Sequence, residues 1–94
     1  MPTSGEPTNR DSIRREIVMR LDTLSLPLAD KPQIFGGYGE DQLCDGCGDA
    51  IGRSEVLYES EMEQGSERIV VTMHRWCFDI WMEESLARHA RAKR

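Results

Sequence analysis

The 94-residue sequence predicts a small α+β domain in which a β-hairpin lies between two helices. Three observations predict this class. Apolar residues recur at helical spacing near the N-terminus, they alternate with glutamates in the middle of the chain, and a stretch without proline or glycine follows. A chain of this length forms one domain with a small core, and small cores often depend on an additional cross-link.

The first element is expected to be an amphipathic helix. Residues 1–10 combine prolines, glycine and small polar residues without apolar periodicity, which predicts a disordered N-terminus. From Asp11 or Ser12, either of which can cap a helix, apolar residues recur every three or four positions. We therefore expect an amphipathic helix over residues 11–25. Its apolar stripe consists of Ile13, Ile17, Leu21 and Leu24.

Residues 26–42 are expected to form a linker. They contain two prolines and a glycine-rich run at residues 36–39. No lysine of the P-loop type accompanies these glycines and no helix signal follows them, so we interpret the run as a hinge rather than a phosphate-binding loop. We expect Leu28, Ile34 and Phe35 to anchor the linker on the core.

Two pairs of candidate metal ligands, each with two intervening residues, organise the second half of the chain. Cys44 and Cys47 form the first pair, and His74 and Cys77 form the second. Thiolate and imidazole are donors that Zn²⁺ prefers, and two such pairs joined by a loop can supply a complete tetrahedral shell. We therefore predict one structural Zn²⁺ per chain, held by these four residues.

Two other interpretations of the cysteines are less consistent with the sequence. Three cysteines do not form a disulfide framework, because one thiol would stay unpaired. A Cys-x-x-Cys pair also occurs in thioredoxin-like dithiols, but the βαβ context of that fold is missing before Cys44. The cysteine usage, the absence of a signal-peptide pattern and the absence of a long apolar run predict a cytoplasmic protein.

Between the two ligand pairs the apolar period changes to two. Val56, Tyr58 and Met62 alternate with glutamates, and a turn at residues 64–66 precedes a β-branched run over residues 69–73. This pattern predicts a β-hairpin with one acidic, solvated face.

The second ligand pair is expected at the start of a C-terminal helix, because residues 76–91 contain neither proline nor glycine. Apolar residues on this helix form two groups. We expect the hairpin and the metal site to cover the first group, and the N-terminal helix to cover the second. The first group is Trp76, Ile80 and Ala87, and the second is Phe78, Met82 and Leu86, with Trp81 beside the metal-facing side.

The turn that carries Cys44 and Cys47, called the knuckle here, is followed by the hairpin and the C-terminal helix, and this order resembles the treble-clef zinc fingers. We expect this zinc-binding domain to span residues 43–92. The spacing of Cys44, Cys47, His74 and Cys77 resembles the four ligand positions in the first zinc module of a LIM domain. The gap of 26 residues between the pairs is longer than usual for that module, and no cysteine follows for a second one. The resemblance implies a non-catalytic interaction scaffold, although treble clefs also include nucleic-acid binders and nucleases.

The sequence predicts that the protein is not an enzyme. A catalytic zinc keeps one coordination position open, whereas four protein ligands are present here. The motifs of zinc deaminases and of metalloproteases are absent. We expect His89, the second of the two histidines, on the surface near the C-terminal end of the last helix.

The charge distribution leaves two classes of partner open. The net charge is −5, but residues 36–84 carry twelve acidic and three basic residues, while residues 85–94 carry four basic and no acidic residues. The acidic centre repels phosphates and favours another protein, or a second copy, as partner. The candidate contacts for a protein are Phe78, Trp81, Met82 and Leu86. The basic end favours a nucleic acid instead. The candidate phosphate contacts are Arg88, Arg91, Lys93 and Arg94, with Arg10, Arg14, Arg15 and Arg20 as further cations.

Overall fold

The computed structural model of this protein describes residues 10–92. Its strands form one antiparallel sheet with the order β1-β2-β3, and neither helix within the described residues is long and apolar enough to cross a membrane. The elements in chain order are α1 (Arg10–Asp22), β1 (Gln33–Tyr38), β2 (Val56–Gln64), β3 (Glu67–His74) and α2 (Arg75–Ala92). Most of the N-terminal segment that was predicted to be disordered, and also Lys93 and Arg94, lie outside the described residues.

Helix α1 ends three residues before its predicted end, which changes its apolar stripe. Leu24 lies beyond the helix in the left-handed region, with a φ of 64°, and its side chain is 88% exposed. The backbone N–H of Leu26 donates to the carbonyl oxygen of Arg20, and this reversal directs the Leu26 side chain into the core. The buried residues of α1 are therefore Ile17 and Leu21 alone, and the prediction for Leu24 was wrong.

The predicted linker over residues 26–42 contains a strand, which corrects the two-stranded hairpin to a three-stranded sheet. Each residue of β1 is exposed, so the strand shows no alternation of apolar and polar side chains that could have revealed it. Ile34 and Phe35 therefore do not anchor the segment on the core, whereas Leu28 packs against it.

The glycine-rich run is not a hinge. Gly36 and Gly37 are paired residues within β1. Gly39 is buried at the end of the strand, where an added Cβ atom would lie 2.6 Å from the carbonyl carbon of Ile51. The glycine at this position is needed for close approach of two backbone segments rather than for mobility.

Polar contacts with α2 hold the segment before β1. The indole Nε1 of Trp81 donates to the carbonyl oxygen of Pro27 at 2.8 Å, and the N–H of Ala29 donates to the hydroxyl of Ser85 at 2.9 Å. The Nε2 of His89 donates to the carbonyl oxygen of Ala29 at 2.8 Å. The surface position expected for His89 was therefore wrong, because this half-buried side chain satisfies a loop carbonyl.

Helix α1 does not cover the second apolar group of α2. Phe78 packs edge-on against Tyr58 of β2, with ring centroids 5.1 Å apart. Arg14 of α1 forms an ion pair with Glu84, which lies on a different side of α2. Leu86 consequently stays 71% exposed, so the predicted arrangement of the two helices was wrong.

One hydrophobic core includes α1, the segment before β1, the sheet and α2. The domain predicted for residues 43–92 thus shares its core with the preceding residues. The largest fully buried side chains include Ile17, Leu26, Ile51, Met73, Ile80 and Trp81.

Candidate metal centre

The two ligand pairs come together at the junction of β3 and α2. The ligand atoms of Cys44, Cys47, His74 and Cys77 all lie within 4.8 Å of one another. The Nδ1 atom of His74 lies 3.5 Å from the Cys47 sulfur and 4.0 Å from the Cys77 sulfur. Bond lengths of about 2.3 Å for Zn–S and about 2.0 Å for Zn–N place ligand atoms of a tetrahedral site about 3.5–3.8 Å apart. The group is therefore positioned to bind one metal ion.

The first ligand pair lies in a tight turn. The N–H of Gly48 donates to the carbonyl oxygen of Cys44 at 2.9 Å, and Gly48 adopts a positive φ of 86° that few other residues tolerate. Gly46 is favoured for a different reason. A Cβ atom there would lie 3.1 Å from the Cβ of Cys77, so a larger residue would push the two ligand pairs apart by a few tenths of an ångström.

Backbone donors stabilise negative charge on the most deeply buried sulfur of the knuckle. The N–H of Gly46 donates to the Cys44 sulfur at 3.3 Å, and the N–H of His74 donates to the same sulfur at 3.5 Å. Such bonds offset part of the cost of burying a thiolate. They also join the knuckle to the end of β3, where the second ligand pair begins.

Burial and mutual repulsion oppose ionisation of all three sulfurs at once. Hydrogen bonds from the thiols of Cys47 and Cys77 hold the pKa of Cys44 far below its usual value. The interaction with the Cys44 thiolate raises the pKa of Cys47 to about 11, and both neighbours together with burial raise the pKa of Cys77 much further. A divalent cation would compensate the repulsion between the sulfurs, so the donor set fits a bound metal ion.

The imidazole of His74 is held with Nδ1 toward the sulfurs. Its Nε2 atom lies 3.3 Å from the carbonyl oxygen of Ala50 and 3.6 Å from the Glu55 carboxylate. Both neighbours are acceptors, which favours a proton on Nε2 and leaves the Nδ1 lone pair free for a metal. The ring also stacks on Trp76, with centroids 4.6 Å apart.

The Glu55→Gln variant tests the role of the carboxylate beside His74. We expect metal affinity to fall by about tenfold, because partners that orient a histidine ligand and increase its basicity contribute on this scale. A competition titration with a chromophoric chelator at neutral pH measures the affinity. The control is Glu59→Gln, which changes a partly exposed carboxylate on the adjoining strand β2. Equal affinities in the two variants would contradict the proposed contribution of Glu55.

Two hydrogen bonds join the knuckle to the outer edge of β3. The N–H of Asp45 donates to the carbonyl oxygen of Thr72 at 2.8 Å, and the N–H of Thr72 donates to the Asp45 carboxylate at 2.8 Å. Arg20 of α1 donates to the carbonyl oxygen of Asp45 at 3.3 Å while it is paired with Glu16. These contacts bring together ligand pairs that are distant in sequence, and no local sequence pattern indicates them.

The predicted protein-contact residues do not form a surface. Trp81 is fully buried, with its ring centroid 6.0 Å from that of Phe78. Phe78 and Met82 are half-buried and pack against the core, so only Leu86 is largely exposed. The expectation that Trp81 contributes to a binding surface was therefore wrong, because its indole is enclosed by the core and bonded to the loop before β1.

Several of the predicted phosphate contacts are engaged within the protein. Arg88 forms an ion pair with Asp22 at 2.9 Å, and Arg14 and Arg20 are paired with glutamates. Arg91 is exposed at the end of α2. The other exposed cations of this group are Arg10 and Arg15, whereas Lys93 and Arg94 lie outside the described residues.

Comparisons with protein-family models, with curated proteins and with solved structures found no match for this chain. The resemblance to treble-clef and LIM modules is thus supported by the ligand spacing and the element order alone. The metal centre itself is supported by the position, burial and hydrogen bonding of its four donors.

Proposed function

We propose that this protein is a non-catalytic zinc-binding module whose single Zn²⁺ stabilises a scaffold for interactions with another protein or with a second copy of itself. The proposal rests on the convergence of Cys44, Cys47, His74 and Cys77 within the space of one metal ion. When bound, zinc would cross-link the knuckle, the end of β3 and the start of α2. The sequence of knuckle, hairpin and helix supports a treble-clef-like arrangement around it.

The donor set supports zinc over magnesium and calcium. Three sulfurs and one imidazole are soft to borderline donors, which select zinc or a redox metal rather than magnesium or calcium. Four protein donors occupy a tetrahedral shell, which supports a structural rather than a catalytic site. The Glu55 carboxylate also supports a bound metal ion. It accepts from the N–H of Gly52 at 2.7 Å and lies beside Nε2 of His74, where it favours the tautomer whose Nδ1 can bind the metal.

The first test is the metal content of protein purified without chelator. We expect one zinc per chain by elemental analysis, and Co²⁺ substitution should give the intense visible bands of a tetrahedral thiolate site. A stable protein that contains no metal and has three titratable thiols would contradict the proposal. That outcome would favour a redox role for Cys44 and Cys47.

The partner class is tested by salt dependence. The pairing of Arg14, Arg20 and Arg88 with carboxylates supports a protein partner, because paired guanidinium groups are less available to phosphates. The alternative is a nucleic-acid-binding regulator, which is supported by the exposed Arg91. We expect no binding of a fluorescent DNA duplex at about 50 mM salt. Binding that weakens steeply toward about 200 mM salt and is reduced by Arg91→Glu would favour the alternative.

A further inference from the structure

The sheet has two edge strands, β1 and β3, and within residues 10–92 the Cys44–Cys47 turn covers the C-terminal half of the β3 edge. On β3, Thr72 exchanges two hydrogen bonds with Asp45, and the N–H of His74 donates to the Cys44 sulfur. Along β1, no other strand of residues 10–92 pairs with the outer edge, and each residue of the strand is exposed. Among the described residues, the edge of β1 is therefore open along its whole length.

The backbone groups that face outward from β1 follow from the pairing with β2. The N–H of Gly39 donates to the carbonyl oxygen of Glu55 at 3.0 Å, so Gly39 directs its backbone groups toward β2. Antiparallel ladders alternate between hydrogen-bonded and non-hydrogen-bonded pairs. Ile34, Gly36 and Tyr38 therefore direct their N–H and C=O groups away from the sheet.

Strand β1 lacks the features that usually prevent pairing of exposed edges. Its residues include no charged side chain and no proline, and two of the six are glycines. Ile34 is 44% exposed and Tyr38 is 70% exposed, so apolar side chains accompany the unpaired backbone groups. A strand of this kind is a template for the addition of another strand.

We propose that β1 pairs antiparallel with β1 of a second copy about a two-fold axis at Gly36. Two three-stranded sheets would join into one sheet of six strands. This inference names the partner for the interaction role proposed above and rests on it. In this register, which matches the outward backbone groups, Gly36 lies opposite its own counterpart and Ile34 lies opposite Tyr38 of the second copy.

The side chains and charges of β1 are complementary to themselves in this register. Each Ile34 meets Tyr38 of the other copy, a favourable cross-strand pair of a β-branched and an aromatic residue. Each Phe35 lies opposite Gly37 of the other copy, which leaves room for its ring. Asp30 and Lys31 precede β1, whereas acidic residues at positions 40 and 41 follow it. In the antiparallel register Lys31 of each copy lies toward Asp41 of the other, which supports a second copy as the partner, and Asp30 reduces the net attraction between the strand ends.

The association would stop at two copies. A two-fold axis at β1 uses the open edge of both copies, so neither copy keeps it for a third. The remaining edge is β3, where Thr72 is already hydrogen-bonded to the knuckle. The structure thus favours a closed dimer over a growing fibre.

Sedimentation of the zinc-loaded full chain tests the proposal over concentrations from about 1 μM to about 1 mM. We expect the mass to rise with concentration from the chain mass of 10.7 kDa to twice that value. Ile34→Lys should weaken the association at least about tenfold, because it places a charge at the pairing edge. The control is Val70→Lys on β3, where the side chain is 46% exposed and outside the proposed interface.

Cross-linking provides a second readout that is independent of lysine substitutions. The Cβ atom of Gly36→Cys would lie 3.5 Å from the Tyr58 ring, and that of Gly37→Cys has no heavy atom within 4 Å, so both variants fit the fold. With zinc protecting the native thiols, mild oxidation should cross-link Gly36→Cys to itself much faster than Gly37→Cys.

A wild-type chain that binds one zinc but stays monomeric at all concentrations would overturn the pairing and leave the metal module intact. Capture of an extended peptide of another protein by β1 of the monomer would also overturn the pairing of two copies and leave the metal module intact. Equal loss of association in Ile34→Lys and Val70→Lys, or equal cross-linking of the two cysteine variants, would also overturn it.

Discussion

The Cys47→Ser variant is expected to lose most of its helical and sheet structure at 25 °C. The apparent binding free energy of a structural zinc in small domains is about 10–16 kcal/mol, and the whole stability of a domain is about 5–15 kcal/mol. Loss of one ligand removes much of that energy. Circular dichroism with thermal unfolding measures the effect, and we expect no cooperative transition across residues 43–90.

Cys47 is the most informative ligand to change. Its side chain is partly exposed, so replacement by serine removes little packing, whereas Cys77 is fully buried and its loss would also disturb the core. The effect should extend to α1, because the Ile17 side chain lies beside Gly46 in the knuckle. Unfolding of the knuckle therefore exposes the buried face of α1.

A matched control separates metal loss from a general effect of serine in the knuckle. Leu43→Ser changes a side chain that is 68% exposed and adjacent to the first ligand, and it should leave the transition unchanged. Chelation of the wild-type protein should reproduce the behaviour of Cys47→Ser. A Cys47→Ser protein that unfolds within a few degrees of the metal-loaded wild type would show that the metal is not the main source of stability.

Elements with a strong local pattern could be predicted from the sequence. The hairpin was expected from the alternation of Val56, Tyr58 and Met62 with glutamates, and these residues lie in β2. The last helix was expected from the absence of proline and glycine, and α2 extends over that stretch. In both cases, interactions between residues close in sequence determine the element.

Strand β1 could not be predicted in this way. It is exposed on both faces, and its glycines suppress the β-propensity that would otherwise indicate a strand. The strand exists because its backbone pairs with β2 from Gln33 to Tyr38. Such pairing depends on residues more than 15 positions away, and no local pattern reports it.

The packing of the helices was missed for a similar reason. Spacing places Phe78 and Met82 on one side of α2, but it does not say which element covers that side. In the structure the sheet covers this side, through the contact of Tyr58 with Phe78. Helix α1 instead contacts another side of α2, where Arg14 pairs with Glu84 and Asp22 pairs with Arg88. The ion pairs join residues that are distant in sequence.

The ligands of the metal centre were predictable, and their supporting contacts were not. Spacing of two residues within each pair indicated the donors, because both ligands of a pair can then face one point. The acceptors that orient His74 are Ala50 and Glu55, and the residue that joins the knuckle to β3 is Asp45. These residue types are common in loops, so only the fold reveals their role.

The Gly39→Ala variant is expected to lose about 3 kcal/mol of stability or more, which corresponds to a decrease in melting temperature of about 12 °C or more. The added Cβ atom would overlap the backbone carbonyl groups of Ile51 and Gly52. Neither backbone segment moves freely, because the N–H of Gly39 donates to Glu55 and the carbonyl oxygen of Ile51 accepts from Asp41. Thermal unfolding of the zinc-loaded protein measures the loss.

The same variant should also weaken zinc binding, because the displaced backbone lies next to Ala50, whose carbonyl oxygen faces the His74 imidazole. Gly37→Ala is the matched control. Its Cβ atom would meet no heavy atom within 4 Å, so it should leave stability unchanged or raise it by up to about 1 kcal/mol. If both alanines have equal effects, Gly39 is not held in close contact with the backbone at Ile51 and Gly52. A large effect of Gly39→Ala alone would link the end of β1 to the metal centre through the loop that supports His74.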